Sequence, residues 1–525
     1  MSTSVAMNIT RLLIGAESNA QLTHVGIASS RVSRSAGELR ADVADLSEAL
    51  LELGVRSGDV VLILGGSRVE IAESILSTFN IGAIAVPVSP LIGPGHINGI
   101  IARLRPRCCI FEDLPERSVL QSLSQQTCLL IALKATEPAA GCTPYRNLVG
   151  RRRGRLSFPT HPLTHPALIV HGSGSSGALK AVVMSHERLL TFCEYNRLVF
   201  AQYSDGPDTL TSSAPTVTSL PLTHLAGLGN TLLSLMNGQR TYLLSSFLPE
   251  PYLRLVEEVR CAHILLVPSL YRSLLKEPYL RKMDKSALRF CIIGGEPSPD
   301  DLLAEIEQAF GVPVLTVYSM TECLSGIAHM RRDLFAHVTR GSCGKQFFGE
   351  LSLRDADGNE QLQSGELWVR NATVHRCYLD PDLNEERLHG GWFRTGDVFF
   401  RDADGNYFHR GRVDDMFICN GKNIYPVEIE RLLLAHPAVE MVCATAVTLP
   451  GKGPVPGVMI VAKSQVSETE LQELCLRDGP SHAVPQVIQF GDSLPLLGPG
   501  KIDRREVQRR LQQGAVLPAR NLANT

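Results

Sequence analysis

Residues 169–183 read Ile169-Val170-His171-Gly172-Ser173-Gly174-Ser175-Ser176-Gly177-Ala178-Leu179-Lys180-Ala181-Val182-Val183. One apolar run enters and another leaves. Between them lie three glycines, three serines and one lysine. The flanks predict two strands. The loop offers flexible backbone N–H groups, hydroxyls and one cation, which suits a chain of phosphates. The same composition also describes a plain Gly/Ser turn. Two better-known phosphate loops do not fit. Gly172-x-Gly174-x-x-Gly177 has the dinucleotide-binding spacing, but that fold opens its helix within the glycines. Here Val182, Val183 and Met184 continue as strand, and Ser185 is the predicted N-cap of a helix beginning His186-Glu187-Arg188-Leu189. A Walker loop needs lysine directly after its last glycine, whereas Lys180 comes three residues later.

Outward from this loop, strands and helices alternate. Upstream, residues 41–53 form a predicted amphipathic helix with Leu46, Leu50 and Leu53 on one face and Gly54 as its stop. Val60–Leu64 is a predicted buried strand, 69–79 a helix and 83–88 a strand, a βαβ unit that favours a parallel sheet. Downstream, 264–267 and 290–293 read as strands, Asp300–Phe310 as a helix closed by Gly311, and Val314–Tyr318 as the next strand. Open α/β sheets bind ligands beyond the carboxyl ends of their strands. That places Gly294-Gly295-Glu296 and Tyr318-Ser319-Met320-Thr321-Glu322 at a candidate site. After about residue 340, Asp357-Gly358 and Asp404-Gly405 suit β-hairpins or a small barrel. From about residue 415 a separate α+β piece follows. Its predicted helices are Pro426–Leu434, 468–476 and 504–511, and its strands are 440–447 and 457–461.

Composition bounds the function. At 525 residues the chain needs several cores, given roughly 150 residues per domain. Lys+Arg at 51 nearly balances Asp+Glu at 53, so no global field attracts nucleic acid or anionic membrane. The 13 cysteines include no CxxC pair, against zinc ribbons and thioredoxin-like chemistry. The first 20 residues hold no apolar run behind basic residues, and no stretch of 18 apolar residues occurs. The expectation is a cytoplasmic protein with reduced thiols, no signal peptide and no membrane span. Arg151-Arg152-Arg153-Gly154-Arg155 reads as a solvated loop. Gly491-Asp492-Ser493-Leu494 matches a lipase-like string and a phosphopantetheine attachment pattern, and reads as strand and turn. His186 and His409 lack metal-ligand spacing and read as structural.

The stretch from Gly172 to Ala181 resembles the phosphate loop of the adenylate-forming enzymes at Ser173, Gly174, Ser175, Gly177 and Lys180, with Ser176 a conservative change. It departs at Gly172, Leu179 and Ala181. The family's other motifs follow in order: Pro221-Leu222-Thr223-His224-Leu225-Ala226-Gly227, Tyr318-Ser319-Met320-Thr321-Glu322, Gly365-Glu366-Leu367, Thr395-Gly396-Asp397, Gly411-Arg412-Val413-Asp414-Asp415, Gly421-Lys422-Asn423-Ile424-Tyr425-Pro426, and Gly500-Lys501-Ile502. Eight ordered elements over about 330 residues identify the chain as similar to the acyl-CoA synthetase and adenylation-domain superfamily.

The resemblance implies an α/β fold. A large multi-lobed N-terminal AMP-binding domain would span 1–413, with two parallel α/β sheets and a small β-barrel at about 340–413. A smaller, mobile α+β lid domain would span 414–525. It implies ATP-dependent activation of a carboxylic acid to an acyl-adenylate, then transfer to a thiol. Glu322 would hold Mg²⁺, a hard cation that prefers oxygen ligands, and Thr321 would touch the α-phosphate. Ser173, Gly174, Ser175, Ser176, Gly177 and Lys180 would cradle phosphates. Tyr318 would stack on adenine, and Gly294, Gly295 and Glu296 would line the adenine and acyl pockets. Asp397 would accept from both ribose hydroxyls, with Arg412 reaching the ribose. His224 belongs to the catalytic set. Lys501 would bridge carboxylate and ATP as pyrophosphate leaves. Gly421 would line a pantetheine tunnel, and Asp414 would be the hinge.

Pro221 to Asn230 contains no acid to pair with an ammonium, so an aryl or aliphatic carboxylate is expected rather than an α-amino acid. Ser319, where the family has Gly, adds a side chain at the pocket wall. Only 24 residues follow Lys501, so the expected acceptor is CoA or the phosphopantetheine of a separate carrier protein. The alternatives are a member that only adenylates and a degenerate nucleotide-binding regulator.

Overall fold

The computed structural model describes residues 6–15, 18–26, 30–134, 141–150, 157–173, 179–201, 214–295, 298, 300–323, 327–328, 341–346, 348–371, 374, 377–449, 451–497 and 501–516. The first long helix is Ala36–Glu52, opening five residues before the expected start. Ser35 Oγ accepts from the Glu38 N–H at 3.3 Å, and the Glu38 carboxylate accepts from the Ser35 N–H at 2.8 Å. This reciprocal cap satisfies two donors that the first turn would otherwise leave bare. Leu39, Val43, Leu46 and Leu50 are fully buried along one face, against the Val69–Asn80 helix.

The Val69–Asn80 helix packs in turn on a seven-stranded sheet. Its order is Leu179–Ser185, Pro166–Ser173, Ile84–Val88, Val60–Leu64, Cys108–Phe111, Leu129–Ala132, Cys142–Pro144. Every neighbouring pair is parallel except the glycine-rich hairpin at the edge. The predicted βαβ unit is present, with Val60 opposite Ile84 and Leu64 opposite Val88.

The other parallel strands before residue 350 fall into two adjoining pieces. A four-stranded sheet joins Thr216–Thr218, Arg240–Leu244, Gln21–Val25 and Arg31–Ser35. A five-stranded sheet runs His263–Leu266, Phe290–Gly294, Val314–Tyr318, Ile327–Ala328, Lys345–Gln346. The Cys261 thiol donates to the Pro215 carbonyl at 3.2 Å where the two meet. Between residues 350 and 412 the strands are antiparallel. Gly358 and Gly405 both adopt φ of +84°, which permits the two predicted Asp-Gly turns. Among the described residues these hairpins form an open sheet, with no pair closing it into a ring.

The C-terminal part has its own core around Leu433, Val442, Val458, Ile460, Leu471, Val507 and Leu511. The large N-terminal domain and the smaller C-terminal domain therefore bury separate apolar cores. The Arg410–Glu428 pair at 2.9 Å and the Lys276–Glu440 pair lie between them. None of the 13 cysteines is exposed. Burial pushes the half-buried Cys128 and Cys343 thiols up to about 12 and about 11. No helix among the described residues is long and apolar enough to cross a membrane.

Candidate active site

The glycine-rich hairpin is in register as Gly172 opposite Lys180 and His171 opposite Ala181. Gly174, Ser175, Ser176 and Gly177 lie outside the described residues, as does the Ser173 side chain. Lys180 is half-buried at the start of the outgoing strand. That strand ends at Ser185, whose Oγ accepts from the Arg188 N–H at 3.2 Å, so the predicted N-cap is in place.

Arg188 joins two parts of the site. It is 3% exposed. Nη1 donates to the Val183 carbonyl and Nη2 to the Glu322 carbonyl, both at 2.7 Å. Desolvation lowers its pKa, because the partners that fix it are carbonyls. The outgoing strand also binds the segment after Cys377: Val183 N–H donates to the Cys377 carbonyl at 2.6 Å, and Leu379 N–H to Ala181 at 3.0 Å. This brings Tyr378 to Glu322, whose Oε1 accepts from the Tyr378 hydroxyl at 3.0 Å. Burial, then the carboxylate, raises the phenol pKa. Thr321 beside Glu322 is half-buried.

The second cluster surrounds Asp397, which is 5% exposed. Its Oδ2 accepts from the Tyr318 hydroxyl at 2.6 Å. Oδ1 faces His409 Nε2 at 3.5 Å and Arg412 Nε at 3.7 Å. Desolvation alone would raise this carboxyl, but His409, Arg412 and the Tyr318 hydroxyl outweigh it and hold the pKa below the ordinary range. Gly396 has φ of +75°, and a Cβ there would sit 2.7 Å from Arg387 Nη1 and 3.3 Å from Arg412 Nη2. The positive φ thus favours glycine in the Thr-Gly-Asp turn, and any side chain there would displace the two guanidinium groups. Thr395 Oγ1 donates to the Leu367 carbonyl at 2.7 Å and accepts from the Asp397 N–H at 3.0 Å, which fixes the turn.

The other expected residues lie around these clusters. A Cβ on Gly294 would fall 2.7 Å from the Val317 carbonyl, and Gly295 has φ of +86°; Glu296 lies outside the described residues. His224 is exposed at the start of the Leu225–Met236 helix, and partial desolvation lowers its pKa. Gly227 lets that helix approach: a Cβ would meet the Leu220 carbonyl at 2.3 Å. Asp414 Oδ2 is 3.6 Å from Arg387 Nη2. Gly421 sits with Asn420 in a two-residue hairpin turn, with φ of +51° and +75°. A glycine suits that turn for conformation alone, and a Cβ would meet nothing within 4 Å. Lys501 pairs through its backbone with Leu497; its side chain and residues 498–500 lie outside the described residues. So Tyr318, Asp397 and Arg412 converge, and Glu322 is tied to the hairpin through Arg188. Among the described residues no hydrogen bond links the His224 side chain to either cluster. Sequence reading missed Arg188 and Tyr378, and took His409 as structural although it faces Asp397.

A model of the AMP-binding enzyme family matches residues 17–379, and its C-terminal-domain model matches 428–501. The chain belongs to the AMP-binding enzyme family. A feruloyl-CoA synthase of Amycolatopsis sp is 32% identical over 483 residues, covering 90% of this AMP-binding enzyme and 93% of the relative. A 2-succinylbenzoate–CoA ligase of Bacillus licheniformis is 27% identical over 87% and 91% of the two chains. The anthranilate CoA ligase AuaEII, solved with anthranoyl-AMP, superposes with a TM-score of 0.83 at 22% identity over 98% of each chain. This AMP-binding enzyme is an AMP-forming acid–thiol ligase of the acyl-CoA synthetase type: it activates an acid as its adenylate and transfers the acyl group to CoA.

Proposed function

We propose that the enzyme's acid is an aromatic carboxylate and that its two clusters form one nucleotide site. The observation carrying the acid class is the 32% identity to a feruloyl-CoA synthase along nearly the full length of both chains. The acid-free segment from Pro221 to Asn230 agrees, since a substrate ammonium would find no counter-charge there.

In the first half-reaction a carboxylate oxygen attacks the α-phosphorus of ATP, the bond to the bridging oxygen breaks, and pyrophosphate leaves. In the second, the CoA sulfur attacks the acyl carbon, the thiol proton is lost, and AMP departs. Asp397 accepts from the ribose, Tyr318 and the Gly294-Gly295 turn bound the adenine, and Arg412 lies beside the sugar. The Gly172–Lys180 hairpin and Thr321 face the phosphates, and Lys501 enters with the C-terminal domain to meet the departing charge. Asp414 is the point about which that domain turns, dividing 1–413 from 414–525, and Gly421 belongs to the thiol's approach.

Glu322 fits Mg²⁺ held jointly with substrate phosphates. Its carboxylate is oriented by Tyr378 and its backbone by Arg188. Among the described residues no group of three His, Cys, Asp or Glu forms a protein-only cage, and Mg²⁺ commonly takes one or two carboxylates plus phosphate oxygens. Bound there, the ion would offset phosphate charge.

The test is pyrophosphate release across hydroxycinnamates, benzoates and fatty acids, with and without CoA. Hydroxycinnamates or benzoates should exceed fatty acids in kcat/KM by about a hundredfold, the scale of well-packed pocket discrimination. Preference for a long-chain fatty acid would overturn the aromatic assignment.

A further inference from the structure

His409 stands on the Tyr407–Arg412 strand, opposite Phe399 in register. Phe399 meets its ring edge-on at 5.3 Å between centroids, and the Tyr318 ring lies nearly parallel to it at 6.4 Å. The imidazole is thereby held beside Asp397 with Nε2 aimed at Oδ1. Asp397 uses its two oxygens differently. Oδ2 is taken by a short bond from Tyr318, whereas Oδ1 has His409 and Arg412 only at 3.5 and 3.7 Å. Arg412 Nε is buried with no hydrogen-bond partner. One acceptor and two N–H donors thus surround a point where neither donor has a full bond. A buried donor without a bond is costly, so the arrangement suits a group that both donates and accepts. A sugar hydroxyl does both.

We propose that His409 is a second ribose-recognition residue: a hydroxyl that donates to Asp397 Oδ1 accepts from His409 Nε2. The inference rests on the ribose role given to Asp397 above. It also explains why an imidazole occupies a site wedged between two aromatic rings, where phenylalanine would fill the space equally well.

The experiment is calorimetric binding of AMP, 2′-deoxy-AMP and 3′-deoxy-AMP to the wild type, His409→Phe, His409→Gln and Asp397→Asn, with melting temperature recorded for each. His409→Phe keeps the ring contacts and removes the donor. It should weaken AMP about tenfold, the scale of one hydrogen bond to a polar ligand group in a buried site. One of the two deoxynucleotides should be weakened less than twofold. His409→Gln, which carries an amide donor at similar reach, should recover most of the AMP affinity. In turnover, KM for ATP should rise while KM for the acid stays constant. Equal losses for AMP and both deoxynucleotides, or no loss, would overturn the role. If His409→Phe does not fold, His409→Met makes the same comparison. Asp397→Asn separates the two readings. If it keeps the full preference for AMP over both deoxynucleotides, the ribose assignment itself fails; if it loses that preference while His409→Phe does not, only the role of His409 fails.

Discussion

Arg188 carries a full charge into the interior and spends its fixed bonds on two carbonyls, Val183 and Glu322. Carbonyl dipoles offset a buried guanidinium less well than a carboxylate does. The arrangement makes sense if the charge serves the anionic nucleotide that the site receives. Arg188→Met should therefore raise KM for ATP more than KM for the acid. Its melting temperature should stay within a few degrees of the wild type, since loss of the two bonds is partly offset by removal of the desolvation cost. Titrating MgATP against both proteins checks this, and an unchanged KM would leave Arg188 a purely structural strut. At this scale the sequence was legible where a residue sits inside a short motif. Tyr318, Asp397 and Arg412, each read from a different string, share one network. His409 and Tyr378 were not legible, because their partners lie on other segments of the chain and no local spacing records them.

The two long N-terminal helices meet over a polar seam that the apolar periodicity did not announce. Glu73 is fully buried on the Val69–Asn80 helix, where it accepts from the Tyr145 hydroxyl at 2.6 Å and lies 3.3 Å from Arg34. Desolvation raises its pKa to about 8. A carboxyl whose folded pKa exceeds its unfolded value binds its proton more tightly when folded. Its stabilising contribution is complete below about pH 4.5 and is lost as pH rises toward about 8. Glu73→Gln should flatten that dependence, leaving the variant several degrees closer to the wild type's low-pH melting temperature when both are measured at pH 8. Parallel melting curves of the two proteins from pH 5 to pH 8 would contradict it. Element positions were largely readable from apolar runs: Val60–Leu64, Asp300–Phe310, Val314–Tyr318 and Pro426–Leu434 begin and end as expected. Boundaries failed where capping decided them, as at Ser35, because a capping box extends a helix past its apolar face.

Among the described residues, the polar contacts between the two separately cored domains include Lys276–Glu440, whose lysine is well exposed and whose glutamate is 32% exposed. Exposed pairs contribute about 0.2–1 kcal/mol, enough to shift an orientational equilibrium by about 1.4- to fivefold and too little to hold a fold. Glu440→Gln should leave the melting temperature within about two degrees. It should change the ratio of adenylation to thioester formation, assayed on one preparation, by about 1.4- to fivefold. A large fall in melting temperature with an unchanged ratio would make the contact structural. Domain order and class were legible because eight motifs appear in sequence. The splitting of the second parallel layer into two sheets was not, since strand pairing between Gln21–Val25 and Arg240–Leu244 spans most of the domain.

With eleven of its thirteen thiols buried and Cys128 and Cys343 half-buried, this molecule should react slowly with maleimides at neutral pH, because thiol reagents attack the thiolate and reach it only through solvent. An added cysteine at Leu362, 89% exposed on the large domain, and another at Leu476, 59% exposed on the small one, would therefore take fluorophores without first stripping the native sulfurs. Energy transfer between two such dyes would report whether one domain swings against the other while a single enzyme turns over.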